Sequence, residues 1–430
     1  MEVSISFDNE RLIFHFQRDE YDEEAIEKLR FSMADEEVYV VLNGVAKENI
    51  HPDIISLCTI LLCNPFVGKE LHLPGPVSRE FLQLANSVVS RYEIVADIDV
   101  NLEKNSPLKM GVPSLAFSGG ADSCAALAIM PGNTIPVFLN RPEIVGTKYD
   151  SHAPLKICEM LADSGFGVRI VETNLEFVRK PTGFPTDLAN GIPALLLSGH
   201  LGIDSIAYGT VLESAYGIGH ERYIDYKKGA HWRFFSTLFS AAGIELCMPT
   251  VGISEVGTAI IGARSPIAGI SQSCIRGTYG NPCLKCWKCF RKQLLGKSLG
   301  ISEYDDFVSM MESNEVQVRL SSYPISHENV VSYSLQRIDT DNYPFFKPLI
   351  KKLDMEIDLS LLDYWYSESA FHIPKKYRAS TRERILKFLE PMNISHEFVL
   401  KNWDMSPHLE RQQTKNAQNE LTTFWQDLTN

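Results

Sequence analysis

Ser114-Leu115-Ala116-Phe117-Ser118-Gly119-Gly120-Ala121-Asp122-Ser123 is the stretch whose reading sets the fold. Its first four residues form an apolar run of strand length, and residues 121–130 have the small, apolar composition of a buried helix. Between them, Gly119 and Gly120 allow a sharp turn and let the backbone approach an anion with no Cβ in the way. Amides at the start of a helix present partial positive charge to phosphate oxygens. Ser118 and Ser123 add hydroxyl donors. Asp122 would be repelled by bare phosphate, so its natural partners are Mg²⁺ or the loop's own amides. A Gly-Gly pair alone reads as a turn with a capping serine, but six suitable residues in strand–loop–helix context read as a nucleotide loop. The stretch is not a Walker loop, because no Gly-Lys-Ser/Thr follows. Phe117, Ser118, Gly119, Gly120, Asp122 and Ser123 are therefore the candidate ATP-binding residues, with Ser118, Asp122 and Ser123 as catalytic candidates.

Outward from the loop, strand-like and helix-like runs alternate. Strands are expected at 134–139, 168–172 and 205–208, and helices at 153–164 and 192–201. Regular alternation of this kind implies a parallel sheet with helices on both faces. Before residue 109 the pattern differs: alternating runs at 3–7 and 12–16, a strand at 38–42, and helices at 23–33, 52–62 and 78–90. The expected organisation is an N-terminal α+β accessory domain (1–108), a nucleotide-binding α/β domain (109–300) and a mainly helical extension (301–430).

Composition narrows the class. Hydrophobic residues make up 44% and charged residues 22%, which suits a globular chain able to bury a core. The formal net charge of −13 counts against a polynucleotide as main partner, because Lys and Arg dominate that affinity. The first residues lack the basic start and apolar run of a signal peptide. The most apolar early stretch, 54–62, is far shorter than the roughly 20 residues needed to span a bilayer. A cytoplasmic protein with reduced thiols is the expectation, and the sequence leaves its oligomeric state open.

Cys274, Cys283, Cys286 and Cys289 fall within sixteen residues as C-x8-C-x2-C-x2-C. Two-residue spacers let thiolates converge on one ion, and four thiolates satisfy tetrahedral Zn²⁺ with no open position, which makes a structural site. An iron–sulfur cluster uses related spacings and a disulfide framework is the other alternative. Cys58, Cys63, Cys124, Cys158 and Cys247 are isolated in apolar surroundings and read as small buried hydrophobes. Cys124 lies beside the loop but has no evident partner base.

The loop hexad matches the Ser-Gly-Gly-x-Asp-Ser signature of the PP-loop ATP pyrophosphatases. Followed about 150 residues later by the four cysteines, it resembles the 7-cyano-7-deazaguanine synthase family of queuosine biosynthesis over residues 112–296. The resemblance implies an adenine nucleotide α hydrolase-like fold, ATP, Mg²⁺ and Zn²⁺. It also implies activation of 7-carboxy-7-deazaguanine as an acyl-adenylate that an amine then attacks. Gly209-Thr210 falls where the family has a Gly-containing loop near its substrate. Tyr223-Ile224-Asp225-Tyr226-Lys227 resembles the family's Tyr-Pro-Asp-Cys-Arg, keeping Tyr223 and Asp225. Asp225 or Glu213 is a candidate acceptor for a guanine-like edge, although Asp225 reads equally as a surface charge. Glu255 stands where the family carries a lysine. Family members of queuosine synthesis are much shorter; longer relatives occur in bacterial anti-phage operons, some attaching the deazaguanine to a protein amine.

Three functional expectations follow. The leading one is adenylation of a deazaguanine carboxylate and transfer to ammonia or a protein amine. The others are a PP-loop enzyme of tRNA thiolation type, and a catalytically silent ATP- and zinc-stabilised interaction module. No general base stands out; His200, His220 and His231 are candidates by location only.

Overall fold

The computed structural model describes every residue except Asn9, Pro107, 144–148 and Asn430, and the side chains at 422 and 424–429 are likewise left aside. Alternating runs at the N-terminus become strands β1 (Glu2–Asp8) and β2 (Arg11–Gln17), an antiparallel pair. The two-residue strand β3 (Ser32–Met33) follows, then β4 (Glu37–Val41), β5 (Glu70–His72) and β6 (Glu93–Val95). The sheet order is β4-β2-β1-β5-β6, with β5 and β6 joining in parallel. These two short strands were not legible in the sequence. Where residues 23–33 suggested one acidic helix, the helix is Glu20–Glu27 and the chain then extends into β3. Asp19 starts this helix with a reciprocal cap to Asp22.

The second sheet holds the site. It consists of β7 (Val112–Phe117), β8 (Ile135–Asn140), β9 (Arg169–Glu172), β11 (Ile203–Ala207) and β12 (Glu245–Cys247), in the order β12-β11-β7-β8-β9, with every pairing parallel. Strand β10 (Arg179–Lys180) instead pairs with β3. Side-chain alternation along these strands separates two apolar layers. Ala116, Val137, Leu139, Ile206 and Leu246 pack with the helices Ile192–Leu196 and Ala230–Ala241. Leu115, Phe117, Phe138, Ala207 and Cys247 pack with the helices Ala121–Ile129 and His152–Asp163. Both faces are therefore covered, as an all-parallel sheet requires.

The helix Pro52–Cys63 carries no solvent face: every residue from Asp53 to Cys63 is buried. It joins the first sheet to the helices flanking the second, and one apolar core runs from Met1 through Ile206 to Met405. The sheets also meet at an edge. Val40 bridges Thr173, the Tyr39 hydroxyl donates to Glu172 at 3.0 Å, and the Tyr39 amide donates to Asn174 at 2.8 Å. This seam covers the free edge of β9, an edge that would otherwise be open to pairing with another chain.

Residues beyond 300 are mainly helical, as the sequence suggested, among them the helices Glu328–Leu335 and Lys375–Ile385. They pack Trp365, Ile385 and Leu389 against Ala125 and Ile129, on the back of the loop helix. Among the described residues, no helix is long and apolar enough to cross a membrane.

Candidate active site

Strand order reverses direction at β7: the chain proceeds to β8 and β9 on one side and to β11 and β12 on the other. In open α/β sheets the crevice outside the carboxyl ends of the strands at such a point is where ligands bind. The Ser118–Ser123 hexad occupies that position, running from the residue after β7 into the first turn of the helix Ala121–Ile129. Gly119 has φ +74°, a conformation that side chains with a Cβ rarely adopt. Hydroxyls shape the loop: Ser118 Oγ lies 3.0 Å from Ser123 Oγ, and Ser123 Oγ donates to the Gly120 carbonyl at 3.0 Å. From across the crevice, Ser273 Oγ accepts the Ala121 amide at 3.2 Å.

The loop opens into a cavity of about 1250 Å³. Phe117, Ser118, Gly120, Asp122 and Ser123 line it, as do Gly209 and Thr210 at the end of β11. Gly209 is a close-approach glycine, since a Cβ there would stand 3.0 Å from the Asp122 carbonyl carbon and the Ser123 nitrogen.

Other expected residues stand elsewhere. Glu213 is fully buried, and its two oxygens accept the Glu255 amide at 3.1 Å each, at the start of the helix Glu255–Arg264. Burial, and then the nearby Glu255 charge, push its pKa up to about 8. Tyr223 stacks on Tyr216 with centroids 6.0 Å apart, and Asp225 pairs with Lys228 at 3.0 Å. Neither side chain is among those lining the cavity, whereas Ile224 and Tyr226 are. Of the three histidines proposed by location, His231 alone lines it. The Cys124 thiol is buried and its pKa is pushed up by desolvation, which suits packing rather than nucleophilic attack. The other isolated cysteines are buried as well.

Glu255 sits in a knot of opposite charge. Lys292 Nζ is 3.0 Å and Arg291 Nε 3.1 Å from Glu255 Oε1, and His327 Nδ1 is 3.4 Å from Oε2. Burial works to raise the Glu255 pKa, but Lys292, Arg291 and His327 outweigh it and hold it at about 2. Burial, and then Arg291, hold His327 at about 4, so at neutral pH its contact with Glu255 is that of a neutral ring. Lys292 also reaches Asp122 Oδ1 at 3.2 Å, and Thr258 Oγ1 donates to the same oxygen at 2.7 Å. Burial disfavours the charged amine, yet Asp122 and Glu255 together raise its pKa. A lysine therefore does stand beside the loop aspartate, supplied by a different segment.

That segment is the helix Trp287–Ser298, which follows directly from the cysteines. Lys288, Arg291 and Lys292 share one face at the i, i+3, i+4 spacing and all three line the cavity, with Arg276 from the preceding loop. This was the missed signal: three cations in register after a C-x2-C, masked by the attention the cysteines command.

The four Sγ atoms of Cys274, Cys283, Cys286 and Cys289 lie within 4.8 Å of one another. Cys286 and Cys289 are 3.4 Å apart and Cys283 and Cys289 3.9 Å. Four thiolates at about 2.3 Å from a tetrahedral ion stand about 3.8 Å apart, so the cluster has the dimensions of a metal site. Disulfide sulfurs stand about 2.05 Å apart, and all four thiols are free. Cys286 is also the N-cap of the cationic helix, its sulfur accepting the Cys289 amide at 3.4 Å.

Against known proteins, the family model described as "Family of unknown function (DUF6395)" matches residues 234–404. That span contains the cysteine cluster and the cationic helix and leaves out the Ser118–Ser123 loop. No curated protein and no solved structure matches the chain.

Proposed function

We propose that this chain is an ATP-dependent, AMP-forming enzyme that adenylates 7-carboxy-7-deazaguanine and passes the acyl group to an amine, either ammonia or a protein amine. The observation that carries the reading is the meeting, in one cavity, of the Ser118–Ser123 loop with Lys288, Arg291 and Lys292. Glycine-led amides and hydroxyls beside three cations suit a polyphosphate better than any neutral ligand.

In the first step a substrate carboxylate oxygen attacks the α-phosphorus, and the bond to the pyrophosphate oxygen breaks. In the second, the amine nitrogen attacks the acyl carbon, AMP departs with the bonding pair, and the nitrogen loses a proton. Loop amides, Ser118 and Ser123 would hold the phosphates. Lys288, Arg291 and Lys292 would stabilise the charge that collects on the leaving pyrophosphate. Glu255 keeps Lys292 charged and aimed at Asp122. Asp122 uses Oδ1 for Lys292 and Thr258, and Oδ2 remains for a divalent ion. Mg²⁺ there would shield the phosphate charge. Zn²⁺ fits the donor set and spacing of the four cysteines and would fix the start of the cationic helix. Its role on this reading is structural.

A pyrophosphate-exchange assay tests the proposal. Label should pass from pyrophosphate into ATP only when 7-carboxy-7-deazaguanine is present. Exchange that ignores the carboxylate, or none at all from folded, ATP-binding protein, would remove this reading.

A further inference from the structure

The cavity has a second set of lining groups, chemically unlike the loop and the helix cations. A volume of about 1250 Å³ exceeds the roughly 300–1,000 Å³ typical of a site for one small ligand. Besides the loop and the cations of the helix Trp287–Ser298, the wall presents the aromatic rings of Phe184 and Tyr226 and the polar side chains of Asp187 and Asn190. Asp187 is open, its side chain 80% exposed, and His231 Nε2 stands 3.3 Å from its Oδ2. On the ring's other side, His231 Nδ1 is 3.1 Å from the Tyr226 hydroxyl. The carboxylate is thus held from behind while facing the cavity. A hydrogen bond from His231 lowers the Asp187 pKa. Asn190 Oδ1 is buried and without a hydrogen-bond partner. Such an acceptor is unfavourable until a donor reaches it. A donor-rich ligand would satisfy both groups.

From this arrangement we infer that Asp187 and Asn190 read the N–H edge of a flat nitrogen heterocycle packed on Phe184 and Tyr226. This rests on the adenylation reading for the identity of the ring and corrects its expected reader, since Asp225 and Glu213 do not line the cavity. A guanine-type ring offers adjacent ring and exocyclic N–H donors that a carboxylate accepts as a pair. An adenine-type edge places a ring lone pair there and is repelled. Asp187 thereby sets specificity, and His231 is its positioning residue.

Calorimetric titration of the full chain with 7-deazaguanine and with 7-deazaadenine, neither bearing a carboxylate, tests this. Wild type should bind 7-deazaguanine at least about 30-fold more tightly than 7-deazaadenine, because a site built for hydrogen bonds rejects ligands that lack them. Asp187→Asn, which turns an NH₂ group toward the ligand's donors, should abolish the preference and leave ATP affinity unchanged. Asn190→Ala should weaken 7-deazaguanine about 10-fold. Equal binding of the two rings, no binding of 7-deazaguanine, or an unchanged preference in Asp187→Asn overturns the inference. Pyrophosphate release with 7-carboxy-7-deazaguanine is scored separately. Binding without release removes adenylation and leaves the edge reader standing. Release with an unchanged KM in Asp187→Asn does the reverse.

Discussion

At the scale of single residues, the site is organised by charges that bury one another. Lys292 serves two carboxylates, Asp122 at 3.2 Å and Glu255 at 3.0 Å. Lys292→Gln should lower the rate of pyrophosphate release about 10²–10³-fold, the usual cost of losing one transition-state charge donor. It should also lower stability by about 1–3 kcal/mol, because the buried Glu255 loses one of its cations and keeps only Arg291; rates are therefore to be expressed per folded molecule from a melting curve. Glu213 carries a pH signature. Its folded pKa of about 8 lies above its ordinary 4.5, so the folded state holds the proton over a wider range than the unfolded state. Its contribution to stability is then fully present below pH 4.5 and falls by roughly 1.4 kcal/mol per unit until pH 8. Glu213→Gln, which mimics the neutral acid, should gain in melting temperature over wild type as pH rises through that window. Parallel pH curves for the two proteins would contradict a protonated Glu213. Hexad and cysteines were legible because their residue types have few other uses in such company. Lys292 and Asp187 were not, because a lone lysine or aspartate in sequence carries no trace of what it will face 170 or 44 positions away.

At the scale of elements, the cysteine cluster and the cationic helix form one device. Cys286 caps the helix and Cys289 lies in its first turn, so an ion bound by the four thiolates fixes where Lys288, Arg291 and Lys292 stand. Metal analysis of the purified chain should return one zinc per molecule. Cys286→Ser should lose metal and solubility together, since binding energies on the order of 10–16 kcal/mol are at stake in such sites. A soluble, active Cys286→Ser protein would refute the structural role. Long periodic elements were readable: the helix expected at 153–164 is His152–Asp163, and the strand expected at 168–172 is Arg169–Glu172. Strands β5 and β6 are three residues each, too short to show a period, and form because β1 offers β5 an edge. Pairing of β3 with β10 spans almost 150 positions, and no local propensity encodes it.

At the scale of the whole molecule, apolar cores run across residues 108 and 300. The largest joins Met1, Leu57, Ile206 and Met405. Another joins Cys274 and Trp287 to Phe346 and Leu421. Residues 109–430 expressed alone should therefore be insoluble, because the buried helix Pro52–Cys63 leaves an apolar seat behind. Within the full chain, Leu57→Ala should cost about 2–5 kcal/mol, seen as a lower denaturation midpoint. Composition changes along the sequence mark where the pattern alters, but a shared core has no compositional signature. That is why the seam through Tyr39 and Thr173 appears only in three dimensions.

The most direct test of the proposed chemistry is mass spectrometry of the full chain incubated with ATP, Mg²⁺ and 7-carboxy-7-deazaguanine, beside Asp122→Ala. AMP should accumulate in wild type in step with consumption of the carboxylate and be absent from the variant. ADP in place of AMP, or equal AMP from Asp122→Ala, would contradict adenylation at the Ser118–Ser123 loop.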